Sequence, residues 1–171
     1  SREKDMSEIL RLIAGGLLAL IACYVGLLIK RRYKSRTMYY KSACEFAKCV
    51  ATELSMKKTP MPDVAENFLK GRNGDFEKTV ETWLDLAKKG QTFVYENTLV
   101  SLLKNDEKKQ IADFFSALGK TALDDQLSHI GYYENVFESK KAKCEDESKK
   151  LGGMYFKLCV LLGIAIMLIL A

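Results

Sequence analysis

The side chains that could carry out acid–base or metal chemistry are few and isolated in this chain. His129 is the only histidine, so a Ser-His-Asp triad or a histidine-based metal site has a single candidate. Asp124 and Asp125 are adjacent, so on a helix they point to different faces and do not form a carboxylate pair. No phosphate-binding G-x-x-x-x-G-K-S/T loop occurs. These observations favour a binding or structural protein, and we assign no catalytic, cofactor-binding or metal-ligating residue.

The cysteines indicate a reducing compartment for the central region. Their number is odd, two of them lie in apolar segments and no C-x-x-C pair occurs. Such a set is typical of reduced thiols rather than of a disulfide framework. The cysteines are Cys23, Cys44, Cys49, Cys144 and Cys159.

Cys23 has one alternative role. The segment Leu20-Ile21-Ala22-Cys23 resembles the lipobox of bacterial lipoproteins, in which the cysteine carries lipid and the preceding segment is removed. The apolar run nevertheless continues to Ile29, where a lipoprotein usually turns polar, and a basic cluster that resists export follows. We therefore expect this segment to stay in place as an anchor.

Two long apolar segments stand near opposite ends of the sequence. The first runs without a charge from Leu12 to Ile29, about 18 residues, which is enough for a helix that spans a bilayer core of roughly 30 Å. The second runs from Leu158 to Ala171. It reaches about 21 residues when it is extended back to Leu151 across Lys157, whose side chain can reach the headgroups. The pattern predicts a membrane hairpin; a buried core helix is the alternative for the shorter second run.

Small residues indicate how the two anchors meet. One face of the first anchor repeats them at spacings of four, three and four residues, which lets transmembrane helices approach closely. Gly163 in the second anchor could meet that face within the hairpin, or the face could meet another protein. The residues of the predicted membrane-packing face are Gly15, Ala19, Ala22 and Gly26.

The distribution of lysine and arginine sets the expected orientation. Six basic residues follow the first apolar run before the next acidic residue, Glu45: Lys30, Arg31, Arg32, Lys34, Arg36 and Lys41. Basic flanks stay on the cytoplasmic side, so we expect a cytoplasmic central region and extracytoplasmic termini. The position of this cluster at a helix exit fits anionic headgroups better than nucleic acid.

The central region has helical periodicity nearly throughout. Pro60 and Pro62 break the first helix, Gly119 ends a later one, and we expect caps at Asn105 and in a Thr121–Asp124 capping box. Leu99, Leu102 and Leu103 form a short apolar face before Asn105. The predicted buried faces are Ala43, Phe46, Ala47, Val50 and Leu54; Phe76, Val80, Trp83, Leu84 and Ala87; Ile111, Phe114, Phe115 and Leu118; and Leu123, Leu127, Ile130, Tyr133 and Phe137.

The sequence therefore predicts an all-α protein. A compact cytoplasmic bundle of about five helices occupies residues 30–150, and transmembrane helices at residues 10–29 and 151–171 flank it. Residues 1–9 form an extracytoplasmic N-terminal flank. We expect no cofactor, no small-molecule substrate and no nucleic-acid partner.

The ordered set of segments resembles the stage III sporulation protein AB family of endospore-forming bacteria. The resemblance covers nearly the whole chain, apart from about the first eight residues. Leu54–Val64 resembles the family stretch E-I-x-x-G-x-T-P-L-P-E-A, but this chain lacks the glycine before Thr59-Pro60. The other matching segments are Leu10–Gly15, Lys30–Tyr33, Leu118-Gly119 with Asp125-Gln126, and Lys150–Gly153 followed by the apolar tail.

The resemblance implies a function in sporulation. Members resemble the helical domains of the inner-membrane platform protein of type II secretion and type IV pilus machines. They belong to an assembly that bridges the two membranes around the forespore, and they lie in the mother-cell membrane. The implied role is a platform that docks a cytoplasmic secretion-type ATPase and contacts other channel subunits. A two-helix channel or pore component is the alternative, and an anchored enzyme that uses His129 or a cysteine is a third possibility.

Turns marked by proline and glycine between rigid helices are the expected contact surface with partners. Two such turns stand out, one around Pro60 and one after Leu118. The predicted partner-binding residues are Thr59, Pro60, Pro62, Asp63, Leu118, Gly119, Asp125 and Gln126.

Overall fold

The computed structural model describes residues 1–98 and 100–170, and within them the chain consists of helices, turns and short irregular connections, with no strand. This confirms the predicted all-α architecture with a long apolar helix near each end. The helices are α1 (Arg2–Met56), α2 (Met61–Leu69), α3 (Asp75–Lys88), α4 (Asn105–Ala117), α5 (Leu123–Glu147) and α6 (Gly153–Leu170). A 3₁₀ turn covers Tyr95–Asn97, and a π turn covers Ser148–Gly152 between α5 and α6.

The chain forms two compact units. Residues 36–143 form a helical domain, and residues 1–35 with 144–171 form a helical hairpin. The sequence also predicted that the chain crosses the membrane surface near residues 29 and 151, and these membrane boundaries stay predictions.

Aromatic side chains build the core of the helical domain. The predicted buried face of α1 is confirmed, because Ala43, Phe46, Ala47, Val50 and Leu54 are all buried. Tyr39 and Tyr40 extend this face toward the N-terminus, which the periodicity did not predict. Phe46 lies at the centre, and its ring centroid is 5.0 to 6.3 Å from those of Phe68, Phe76, Phe115 and Phe114.

A buried ion pair joins α1 to α4 inside the helical domain. The side chains of Arg36 and Glu107 are only 12% and 4% exposed. Arg36 Nη2 donates to Glu107 Oε1 at 2.8 Å, and Nη1 donates to Glu107 Oε2 at 3.2 Å and to the carbonyl of Leu102 at 2.8 Å. The same carboxylate also lies 3.9 Å from Lys140 Nζ of α5. Because bidentate pairs fix orientation, Glu107 sets the position of α4 against α1.

Two predicted helix caps are wrong, both because a buried polar side chain decides where the helix begins. Asn105 is the first residue of α4, and the cap position belongs to Lys104, whose backbone N–H donates to Glu107 Oε2 at 2.8 Å. Likewise α5 begins at Leu123, and the Gln126 N–H donates to the Ala122 carbonyl, so Ala122 is the cap. Thr121 precedes that cap, and no Thr121–Asp124 box starts the helix.

The fourth predicted face is only partly confirmed. Ile130, Tyr133 and Phe137 are buried, but Leu123 is 37% exposed and Gln126 is buried in its place. In the first turn of α5, Gln126 therefore faces the core and Leu123 faces solvent. Leu103 is buried, and Leu99 lies outside the described residues.

Candidate functional site

The two turns predicted to bind partners line one cavity in the helical domain. Its volume is about 480 Å³. The predicted residues in its wall are Thr59, Pro60, Pro62, Leu118, Gly119 and Gln126. Asp63 and Asp125 do not line it; both are exposed in the first turns of α2 and α5. We refer to this cavity as the groove.

The floor of the groove is aromatic. Trp83, Phe93 and Phe115 all line it, and Trp83 is 5% exposed. The indole Nε1 of Trp83 donates to the carbonyl of Phe115 at 3.1 Å, and the Phe93 and Phe115 ring centroids are 5.2 Å apart. The periodicity placed Trp83 and Phe115 in the core and gave no signal for Phe93. The sequence does place aromatic residues on both sides of a glycine turn at Gly90, and this pattern could have indicated a cavity.

A hydrogen-bonded turn forms the first rim of the groove. Thr59 Oγ1 donates to Glu53 Oε2 at 2.9 Å, and Lys57 Nζ donates to Glu53 Oε1 at 3.0 Å. The hydrogen bonds from Lys57 and then Thr59 lower the pKa of Glu53, so this carboxylate is charged at neutral pH. Lys58 has φ +52°, a left-handed conformation that glycine adopts more readily.

The second rim is the turn between α4 and α5. Gly119 has φ +79°, which reverses the chain after α4. Lys120 Nζ donates to Thr92 Oγ1 at 2.9 Å and so ties this turn to the segment after α3. Gln126 Nε2 donates to the Thr121 carbonyl at 2.8 Å, which explains how a polar side chain that is 8% exposed lies in the wall.

The geometry of the groove suits the binding of a partner. A concave, largely apolar surface with a few hydrogen-bonding groups at its edge is typical of recognition sites. His129 is half-buried against aromatic rings, and its Nε2 lies 3.3 Å from the carbonyl of Phe114. Burial raises the pKa of the Cys44 thiol to about 11, away from the reactive thiolate. In the described residues, no group of three His, Cys, Asp or Glu could hold a metal ion.

The hairpin contains a second ordered contact, a seam of small residues. A methyl group added at Gly163 would lie 3.1 Å from the Ala19 Cα, so the two backbones nearly touch. One added at Gly26 would lie 3.1 Å from the Cys159 Cβ, and one added at Gly15 would lie 3.5 Å from the Met167 Cα. Ala22 is half-buried on the same stretch of α1.

The seam has a seven-residue repeat. Its buried or half-buried positions alternate at spacings of four and three along both helices: 15, 19, 22, 26, 29 and 33 on one, and 152, 156, 159, 163, 166 and 170 on the other. This repeat keeps one stripe of each helix facing its partner over five turns. The five residues of the predicted membrane-packing set all lie on this stripe. That the two helices pack along this stripe inside a bilayer stays a prediction.

The outer faces of the hairpin are apolar and exposed. Two helices are long and apolar enough to cross a membrane, and most of each apolar window is exposed. The exposed large side chains include Leu12, Leu17, Leu20, Ile21, Leu161, Leu162, Leu168 and Ile169. Apolar surface of this extent on both helices marks contact with lipid or with another apolar partner.

Comparison with known proteins places these features in a family. The family model of stage III sporulation protein AB matches residues 11–171, which include both apolar helices and the whole helical domain. The match confirms the resemblance seen in the sequence. Comparisons with curated proteins and with solved structures gave no match.

Proposed function

We propose that this chain, which belongs to the stage III sporulation protein AB family, is a non-enzymatic membrane platform subunit of the sporulation channel assembly. Its hairpin anchors it in the mother-cell membrane around the forespore. Its helical domain docks a cytoplasmic secretion-type ATPase and contacts other subunits of the assembly. Family membership supports the role in stage III sporulation.

One observation carries the docking proposal: the turns around Pro60 and Gly119 are far apart in sequence and line the same groove. Each turn is fixed by its own hydrogen bonds, so the groove keeps its shape without a ligand. A preformed surface binds a partner without an entropic cost for ordering loops. The groove is therefore the part of the domain best suited to hold a segment of the ATPase.

The expected orientation supports the same role. The basic cluster after the first apolar run favours a cytoplasmic helical domain, which is where an ATPase has access to ATP. Both termini then lie on the opposite side of the membrane.

Co-purification in detergent tests the proposal. The full chain is mixed with the secretion-type ATPase of the same assembly, and the groove variant Gln91→Arg is compared with Ser128→Arg. Both positions are exposed, but only Gln91 lines the groove. We expect the groove variant to lose the ATPase and the control to retain it, with equal thermal unfolding midpoints. Failure of the unmodified chain to associate in any mixture of the assembly's subunits contradicts the proposal.

A further inference from the structure

We propose that the two helices of the hairpin together form a binding surface for anionic phospholipid headgroups. The inference rests on the proposed insertion of the hairpin in a membrane. The surface is a collar of six exposed basic residues, which we call the basic collar: Lys30, Arg31, Lys34, Lys149, Lys150 and Lys157.

The register of the seam brings the basic residues of the two helices into one band, which extends about 12 Å along the helix from Lys149 to Lys157. A methyl group added at Gly152 would lie 3.6 Å from the ring of Tyr33. One added at Gly26 would lie 3.2 Å from the ring of Phe156. Lys30 Nζ lies 5.6 Å from the centroid of the same Phe156 ring. Residues 30–34 of α1 therefore lie beside residues 152–156 of its partner, and each stretch carries or adjoins basic residues.

The collar carries a net positive charge, because its six cations outnumber the neighbouring acids Glu145, Asp146 and Glu147. The sequence has no acidic residue from 9 to 44 and none from 148 to 171. Within the hairpin unit, Lys150 Nζ is paired with Asp146 Oδ1 at 3.1 Å. Clustered cations that outnumber the nearby acids attract phosphate groups, and their attractions add.

The collar stands at the end of the apolar seam, where headgroups are expected. From Gly15 to Tyr33 the helix rises by about 27 Å, close to the roughly 30 Å of a bilayer core. Tyr155 is 40% exposed at the level of the collar, and tyrosine side chains favour the interface. The basic collar borders an apolar, lipid-facing surface, and a nucleic acid gains nothing from that neighbouring surface. The position of the collar therefore favours a lipid headgroup over nucleic acid.

Lipid enrichment measures this binding directly. The full chain is purified in neutral detergent with equimolar phosphatidylglycerol and phosphatidylcholine, and the co-purified lipids are counted by mass spectrometry. We expect phosphatidylglycerol to be enriched by about fivefold, the factor that one cation contributes near an anionic surface. The enrichment should fall toward one in 1 M salt, where the Debye length is only about 3 Å and charges farther apart are screened from each other.

Variants assign the enrichment to the collar. Arg31→Gln/Lys34→Gln/Lys149→Gln should lower the enrichment well below that of the unmodified chain, whereas Lys70→Gln/Lys78→Gln/Lys109→Gln, which removes the same charge from exposed positions of the helical domain, should preserve it. A ratio near one for the unmodified chain overturns the inference. So does an equal loss in the control, displacement of the lipid by inorganic phosphate, or displacement by an oligonucleotide.

The two proposals fail separately. If an alkaline carbonate wash releases the chain from cell membranes, then membrane anchoring itself is wrong. If the chain resists the wash but shows no lipid preference, only the basic collar is wrong. The collar variant should still retain the ATPase, because its changes lie outside the helical domain.

Discussion

At the scale of single residues, tertiary contacts decide features that local preference does not. The carboxylate of Glu107 accepts a hydrogen bond from the backbone N–H of Lys104, so α4 begins one residue earlier than a cap at Asn105 predicted. Gln126 is buried and sets the first turn of α5. Cap rules rank residue types by their local hydrogen bonds, and they contain no information on which glutamate or glutamine the core will bury.

Lys58 offers a stabilising substitution. Its φ of +52° places a side chain in the left-handed region, where only glycine avoids a steric cost. We expect Lys58→Gly to raise the free energy of unfolding by about 1 kcal/mol. Thermal or urea unfolding of the full chain in detergent measures the change.

Lys89→Gly is the matched control for Lys58→Gly. Lys89 also follows a helix, but its φ of −87° is ordinary for any residue. The same substitution there should destabilise by up to about 1 kcal/mol, because glycine loses more conformational entropy on folding. If both variants shift stability in the same direction, strain at Lys58 is not the cause.

The buried ion pair predicts a large loss of stability. Glu107→Gln leaves the guanidinium of Arg36 buried without its counter-charge, which should cost about 3 kcal/mol. The free energy of unfolding in urea measures the loss. Glu66→Gln is the control, since its pair with Lys88 is exposed to solvent. An unfolding midpoint that moves no further for Glu107→Gln than for this control contradicts the role given to the pair.

At the scale of elements, helical periodicity predicted the helices well. The repeat of apolar residues at three and four positions identified the buried face of α1 from Ala43 to Leu54, because a helix that faces a core must bury one stripe. It did not predict that Phe93, in an irregular segment, is buried beside Phe115. Irregular segments have no period, so their buried residues depend on neighbours that the sequence does not reveal.

The register of the seam can be trapped with a disulfide. A Cβ at position 26 lies 3.1 Å from the Cys159 Cβ, within a few tenths of an ångström of the roughly 3.5–4.5 Å range of disulfides. Under a mild oxidant, Gly26→Cys should therefore form a bond to the native Cys159. Peptide mass spectrometry of the digested chain detects the cross-link.

Leu27→Cys is the control for that cross-link. Leu27 lies on the same helix, but its side chain is 41% exposed, away from the seam. It should give little or no bond to Cys159. Equal yields from both variants mean that the two helices slide or separate, which contradicts a fixed register.

At the scale of the whole molecule, the order of apolar and polar regions was readable from the sequence, and the convergence of two turns was not. The apolar runs can be recognised from their length alone, because a helix that spans a bilayer core needs about 20 apolar residues. That Pro60 and Gly119 line one groove depends on the relative placement of four helices, which no local pattern encodes. The prediction of both turns as contact surfaces named six residues of the groove wall without foreseeing that the two turns form one site.

The orientation of the chain is open to a direct test. In a variant whose native cysteines are replaced, Ser7→Cys and Ser128→Cys should react with a membrane-impermeant maleimide from opposite sides of sealed vesicles. Both positions are exposed, so access depends on the membrane alone. Labelling from the same side contradicts the expected topology, in which the helical domain and the N-terminus are separated by the bilayer.

The floor of the groove gives this protein a built-in optical reporter. Trp83 is the only tryptophan of the chain, so all indole emission comes from one place. Its intensity depends on which groups touch the ring. A peptide without tryptophan that fills the groove should therefore change the intensity of the emission, without a dye or an engineered label, and one that binds elsewhere should leave the spectrum unchanged.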